Sequence, residues 1–127
     1  MKIKEAIEFA DAVKPNAFDN TIKIRLLSEL EQMIQLEVLL FAPEQVITYA
    51  PGDEEKDLLI STHDSLYTDY LIAKLDYLNG EYDKYANTLQ TFNVSYTEFK
   101  RWFTQNYSPA DTHGRYYENE EAENYGF

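Results

Sequence analysis

Over residues 2–13 the apolar side chains Ile3, Ala6, Ile7, Ala10 and Val13 return every three or four positions, the spacing of one face of a helix. Pro15 closes this first helix and drives Lys14 out of the α region, because the proline ring crowds the residue before it. Asp19 and Asn20 then offer side-chain oxygens to the free amides of a second helix. Its core stripe reads Leu27, Leu30, Ile34, Val38 and Phe41, widened by Leu26, Met33 and Leu40. The spacing predicts a helix over 20–41, roughly 30 Å long at 1.5 Å per residue.

The period fails between 42 and 62. Pro43, Pro51 and Gly52 interrupt helix there, while Val46-Ile47-Thr48-Tyr49 and Leu58-Leu59-Ile60 are short β-prone runs around an acidic turn, a pattern that allows a small hairpin. Thr62 or Asp64 opens a third helix with Leu66, Tyr70, Ala73 and Tyr77 on its inner face. Asn79-Gly80 ends it, since Gly80 can take the left-handed conformation of a helix stop. The fourth helix has the strictest pattern in the chain: Tyr85, Leu89, Phe92, Tyr96, Phe99 and Phe103 alternate in steps of four and three. The short turn at Gly80 makes the third and fourth helices antiparallel neighbours.

Past Asn106 the pattern stops, and Pro109, Gly114 and Gly126 are mixed with Asp111, Glu118, Glu120, Glu121, Glu123 and a single base, Arg115. The expected fold is an all-α small bundle of three to four helices, with a long irregular loop, and room for a short β-hairpin, between helices 2 and 3. It divides into a helical domain at 1–106 and a flexible, acidic, aromatic-containing C-terminal tail at 107–127, unpacked in the free protein. No internal repeat signals a solenoid.

A chain of 127 residues buries about two-thirds of its unfolded surface on folding, so a core forms without a metal or a disulfide. Twenty-three acids against eleven bases, a formal charge of −12, disfavour a surface that grips phosphate backbones. With no cysteine there is neither a disulfide framework nor a thiolate metal site. Glu5 and Glu8 interrupt the apolar run a secretory signal would need, and no window is long enough to span a bilayer, so neither export by that route nor a membrane location is expected.

Candidate chemistry is sparse. His63 and His113 belong to no helical metal-binding pattern and read as surface or capping residues. The acidic turn at 53–57 lacks the alternating ligands and central glycine of a calcium loop and reads as solvated. Pairs such as Glu29 and Asp69 arise by chance in so acidic a chain. Gly52, Gly80, Gly114 and Gly126 form no phosphate-cradling motif. The reading is therefore of a protein without cofactors, metal site or catalytic residues. Of the eleven tyrosines, Tyr70, Tyr77, Tyr85 and Tyr96 sit at helical spacing and read as core. Tyr67, Tyr82, Trp102 and Tyr107 lie off the stripes and, with Tyr116, Tyr117, Tyr125 and Phe127 in the tail, are the candidate protein-interface residues.

The run Lys14-Pro15-Asn16-Ala17-Phe18-Asp19, followed by Lys23-Ile24-Arg25-Leu26-Leu27-Ser28-Glu29-Leu30-Glu31, resembles the N-terminal signature of head-tail connector (adaptor) proteins of long-tailed bacteriophages and prophages. His63-Asp64-Ser65-Leu66-Tyr67 and Asp76-Tyr77-Leu78-Asn79-Gly80-Glu81-Tyr82-Asp83-Lys84-Tyr85 look like the paired-helix region of that family, and Phe92-Asn93 with Trp102-Phe103 like its last helix. The likeness covers residues 3–103 in order. It departs from the family pattern at Leu26, where many relatives have tryptophan, and near Gln32, where they have glycine.

The resemblance implies a non-enzymatic virion structural protein, made in the bacterial host cytoplasm and located at the capsid vertex. Its partners would be the phage portal protein, a stopper or tail-completion protein and neighbouring copies of itself in a ring. DNA would pass through without specific binding. The charge of −12, and not the resemblance, suggests in addition a carboxylate-lined wall that offers the duplex no basic hold. Free copies, repelled by their own charge, are expected to be largely monomeric or weakly associated until the portal templates the ring. The rival reading from another class is an acidic phage-encoded inhibitor that mimics DNA and binds a host protein.

Overall fold

A computed structural model of the chain describes residues 1–107. It contains helices α1 (Ile3–Val13), α2 (Asn20–Glu37), α3 (Ser65–Leu78) and α4 (Tyr82–Asn106), with a 3-10 turn at Pro43–Gln45. The all-α bundle expected from the periodicity is the observed fold. The tail, apart from Tyr107, lies outside the described residues.

Helix α1 starts where the Glu5 carboxylate accepts the Lys2 amide at 2.6 Å, and it buries Ile3, Ala6, Ile7 and Ala10. Val13, expected on that face, is 56% exposed. The last turn of α1 is fastened by charge instead of apolar contact. Asp11 holds the buried Lys23 ammonium of α2 at 2.8 Å, and Lys14 reaches Asp76 of α3 at 2.9 Å as well as Glu81.

Helix α2 begins as its capping residue predicts, with Asp19 accepting the Thr21 amide at 3.2 Å. It ends at Glu37, short of the expected Phe41. Leu40 takes a left-handed φ of 58°, and the amides of Leu39 and Phe41 turn back onto the carbonyls of Ile34 and Gln35. This reversal leaves Leu40 exposed while Val38 and Phe41 still pack against the core. An apolar period alone continues through such a turn, because it records which side chains seek the core and not whether the backbone stays helical.

The segment 42–62 forms no hairpin, and among the described residues the sole β-bridge joins Lys2 to Asp57. Its β-prone runs are partnered elsewhere. The amides of Ile3 and Leu58 bond the carbonyls of Lys56 and Met1, which ties the loop to the start of the chain. Its other edge is fastened to α2 by side chains.

Helix α3 packs against each of the other three helices. Its buried surface is therefore broader than one stripe, running through Leu66, Tyr67, Leu71 and Leu75 with Thr68, Ala73 and Asp76 beside them. Tyr70 is half-buried, whereas Tyr77, expected in the core, is 49% exposed: Leu75 and Asp76 of the same turn are buried, and Tyr77 lies on the side of that turn left open to solvent. Gly80 makes the predicted turn at a φ of 74°. α4 then runs back along α3, burying Phe92, Tyr96 and Phe99 and half-burying Tyr85, Leu89 and Phe103.

Candidate functional site

Three arrangements of side chains go beyond ordinary core packing. The first surrounds Glu31, which lies on the same side of α2 as Ser28 and Gln35 and is fully buried. Its carboxylate accepts the Tyr49 and Tyr67 hydroxyls, each at 2.6 Å, and the Leu59 amide at 2.9 Å. The Tyr67 hydroxyl in turn accepts the Ile60 amide at 3.0 Å. Ser28 accepts the Tyr49 amide at 2.9 Å, and the Gln35 side chain both accepts from the Ile47 amide and donates to its carbonyl, each at 2.9 Å.

Gln35 thus gives Ile47 the pair of bonds that a neighbouring strand would have given it. Every buried polar atom of this junction needs a partner, and helix side chains supply what a hairpin does not. Burial and the adjoining Glu31 carboxylate push the Tyr49 and Tyr67 hydroxyls far above the ordinary phenol range. With Glu31, Gln35 and Tyr67 fully buried at its centre, the group works as a latch that joins α2, the loop and α3.

The second arrangement is the set of charges at the C-terminal end of α1. Beyond its ion pair with Lys14, Asp76 accepts the Thr88 hydroxyl of α4 at 3.0 Å, so one buried carboxylate links three helices. The Glu81 and Asp76 carboxylates raise the pKa of Lys14, and Lys14 holds that of Glu81 low.

The third is aromatic and reaches the surface at both ends of the α3–α4 hairpin. At the turn, the Tyr77 ring meets Tyr82 at 5.8 Å and Tyr85 at 5.1 Å between centroids, and Tyr82 is 63% exposed. At the far end, His63 packs on Phe99 at 5.2 Å and Trp102 at 4.9 Å, and Tyr107 meets Trp102 at 5.5 Å and Phe103 at 5.1 Å. A cleft of about 220 Å³ opens there, with Val38, Leu40, Phe103 and Tyr107 as its apolar wall and Glu37 and Lys100 as its charged members.

The sequence-predicted interface residues divide accordingly. Tyr82 and Tyr107 face solvent, and Trp102 is half-buried beside Tyr107. Tyr67 is corrected: it is fully buried, and its hydroxyl is spent on Glu31, because three packed neighbours leave α3 little outer surface at that position. Tyr116, Tyr117, Tyr125 and Phe127 lie outside the described residues, as does His113. His63 is half-buried against aromatic rings, a ring-packing role beyond the surface or capping one expected of it. The acidic turn is partly neutralised. Asp53 accepts the Ala50 amide and pairs with Lys56, while Glu55 pairs with Lys2 and Lys4, and both carboxyls are held below their usual range by those partners. Glu29 and Asp69 have separate partners, Arg25 at 3.9 Å and the Ser95 hydroxyl at 2.8 Å.

Sequence reasoning missed Glu31, Ser28, Gln35, Lys23 and Asp76, all buried. A signal for three of them was present: Ser28, Glu31 and Gln35 recur at steps of three and four directly beside the apolar stripe of α2. Polar residues repeated on a core-facing flank mark a place where backbone must be satisfied.

No protein-family model, curated protein or solved structure matches the chain. Among the described residues, no three His, Asp or Glu side chains converge as a metal ion requires, and no helix is long and apolar enough to cross a membrane.

Proposed function

We propose that this chain is a head-tail adaptor of a tailed bacteriophage, a contact protein that joins a ring beneath the portal and prolongs the DNA channel toward a stopper or tail-completion protein. The observation that carries the reading is the pair of solvent-facing aromatic patches, around Tyr82 and around Tyr107, at opposite ends of one helical hairpin. They are separated by the length of α4, roughly 37 Å for its 25 residues at 1.5 Å per residue. Exposed tyrosines supply large, rigid contact area, and two such patches suit a subunit that touches one partner at each end.

The ordered resemblance over residues 3–103 names the kind of assembly, and the four-helix order with its Gly80 turn is compatible with it. The acidic balance also suits a channel wall that leaves DNA free to slide. The rival DNA mimic needs carboxylates spread over an open face. Here Glu31 and Asp76 are buried, while Asp11, Asp53, Glu55 and Glu81 are occupied by lysines of the same chain.

Co-expression with the portal protein of the same genome, followed by cryo-electron microscopy, is the direct test. The expected result is density for a ring of this chain on the portal, with Tyr82 or Tyr107 at a subunit boundary. Recovery of a host nuclease or repressor, with no portal binding, would replace this reading with the DNA mimic.

A further inference from the structure

The face of α4 opposite its buried seam is exposed over several turns. Along it Asn87, Gln90, Val94, Thr97 and Arg101 recur at steps of three and four, the spacing with which one helix meets a second. Two shallow grooves on this face meet at Gln90 and Val94. One runs back to Asn87 and Thr91, the other on to Thr97, Glu98 and Arg101.

Its charge sets this face apart. In a chain of formal charge −12, no charged side chain occurs from Tyr85 to Thr97. The outer faces of α1 and α2 differ, for α1 exposes Lys4, Glu5 and Glu8, and α2 exposes Arg25 and Glu29. Like charges opposed across a contact repel, so a second copy of so acidic a protein is met most easily where charge is absent. Glu98 and Arg101 close the stripe, and among the described residues neither has an ion-pair partner.

The stripe is complementary to itself when two α4 helices lie antiparallel with a two-fold axis at Val94. Positions equally far from Val94 on either side then face each other: Thr91 meets Thr97, Gln90 meets Glu98, and Asn87 meets Arg101. Each groove lies against the other groove of the second copy. The Gln90 amide can donate to the Glu98 carboxylate and the Arg101 guanidinium to the Asn87 carbonyl oxygen, with no like charges opposed. A parallel pair would instead set Glu98 on Glu98 and Arg101 on Arg101.

We infer that free copies of this chain pair through the outer face of α4, antiparallel about Val94. From Asn87 to Arg101 the contact runs roughly 21 Å, with Val94 as its apolar centre. So small a surface supports a weak, reversible dimer, with Kd on the order of 0.1–1 mM. The inference goes beyond the adaptor reading and does not depend on it, since Tyr82 and Tyr107 take no part.

The absence of native cysteine lets disulfide exchange report the register in the full-length protein. When Gln90→Cys and Glu98→Cys variants are mixed at about 0.5 mM in a glutathione buffer, the mixed disulfide should exceed either homodimer by about tenfold. In each homodimer the thiols would lie roughly 12 Å apart along the helices, too far for a disulfide to bridge. Sedimentation equilibrium gives a second reading. Added salt, which screens the overall repulsion, should strengthen the wild-type dimer, and Val94→Glu should weaken it by about tenfold or more by opposing two carboxylates at the axis. Val94 is 53% exposed, so the melting temperature of that variant should stay near wild type. A mixed disulfide at no more than its random share, an association that weakens with salt, or a wild-type monomer at about 1 mM overturns the inference.

Discussion

Helices α3 and α4 meet along an aromatic seam in which Phe92, Tyr96 and Phe99 are buried, whereas the chain between α2 and α3 is fastened by hydrogen bonds to Ser28, Glu31 and Gln35. Both regions are interior, and they fail differently. An apolar seam loses stability in proportion to the surface and volume removed, and neighbouring side chains can relax into part of the gap. A buried hydrogen-bonded junction is asymmetric: deleting one partner strands the others, at about 1–3 kcal/mol for each group left unsatisfied. The hairpin is therefore graded in its response, while the loop junction depends on one carboxylate.

The largest expected effect separates the two by breaking the hairpin. Phe99 is fully buried, and Phe99→Ala should cost about 3–5 kcal/mol through lost burial and a residual cavity. Thermal melting followed by circular dichroism should show a marked fall. A melting temperature within a degree or two of wild type would remove Phe99 from the core.

Glu31→Gln probes the other region while keeping the side chain's size. The amide can still accept a hydrogen bond but also brings two donors into a site whose three partners all donate, so a loss of about 1–3 kcal/mol is expected. Its signature is local: hydrogen exchange should accelerate at the amides of Tyr49, Leu59 and Ile60 more than along α4. Uniform acceleration through the molecule would show that the junction is not a separate latch.

The same contrast extends to pH. Burial and Glu31 raise the pKa of Tyr49 and Tyr67 above the unfolded phenol value of about 10. Such groups bind more protons folded than unfolded at high pH, so their contribution is fully present below about pH 10 and is lost as pH rises above it. Tyr70, pushed up to about 12 by burial and the nearby Glu29, adds to the same window. Ultraviolet titration should show Tyr49 and Tyr67 ionising only together with alkaline unfolding. A single step for all tyrosines in the folded protein would contradict the buried junction.

The smallest effect on stability is expected at Tyr82, which is 63% exposed and whose ring contact is with Tyr77, itself 49% exposed. Tyr82→Ser should change unfolding free energy by no more than about 0.5 kcal/mol. Under the adaptor proposal it should nevertheless weaken ring assembly on the portal. Full assembly with the variant would take the Tyr82 patch out of the interface.

The sequence by itself determined the helices, the Asp19 cap, the Gly80 stop and the buried centre of the α4 seam, because each is a local matter of spacing or backbone conformation. The early end of α2 was not legible there, since Val38 and Phe41 continue the apolar period through the left-handed turn at Leu40. Nor was the burial of Tyr67: its hydroxyl is 36 residues in sequence from the Glu31 carboxylate that receives it. The exposure of Val13 and Tyr77 likewise depended on which side of each helix end its neighbours cover. Only the tertiary structure decided these points, and the reason is physical. A helix propagates through neighbours three and four residues away, but a buried polar group is satisfied by whatever donor or acceptor the whole fold brings to it.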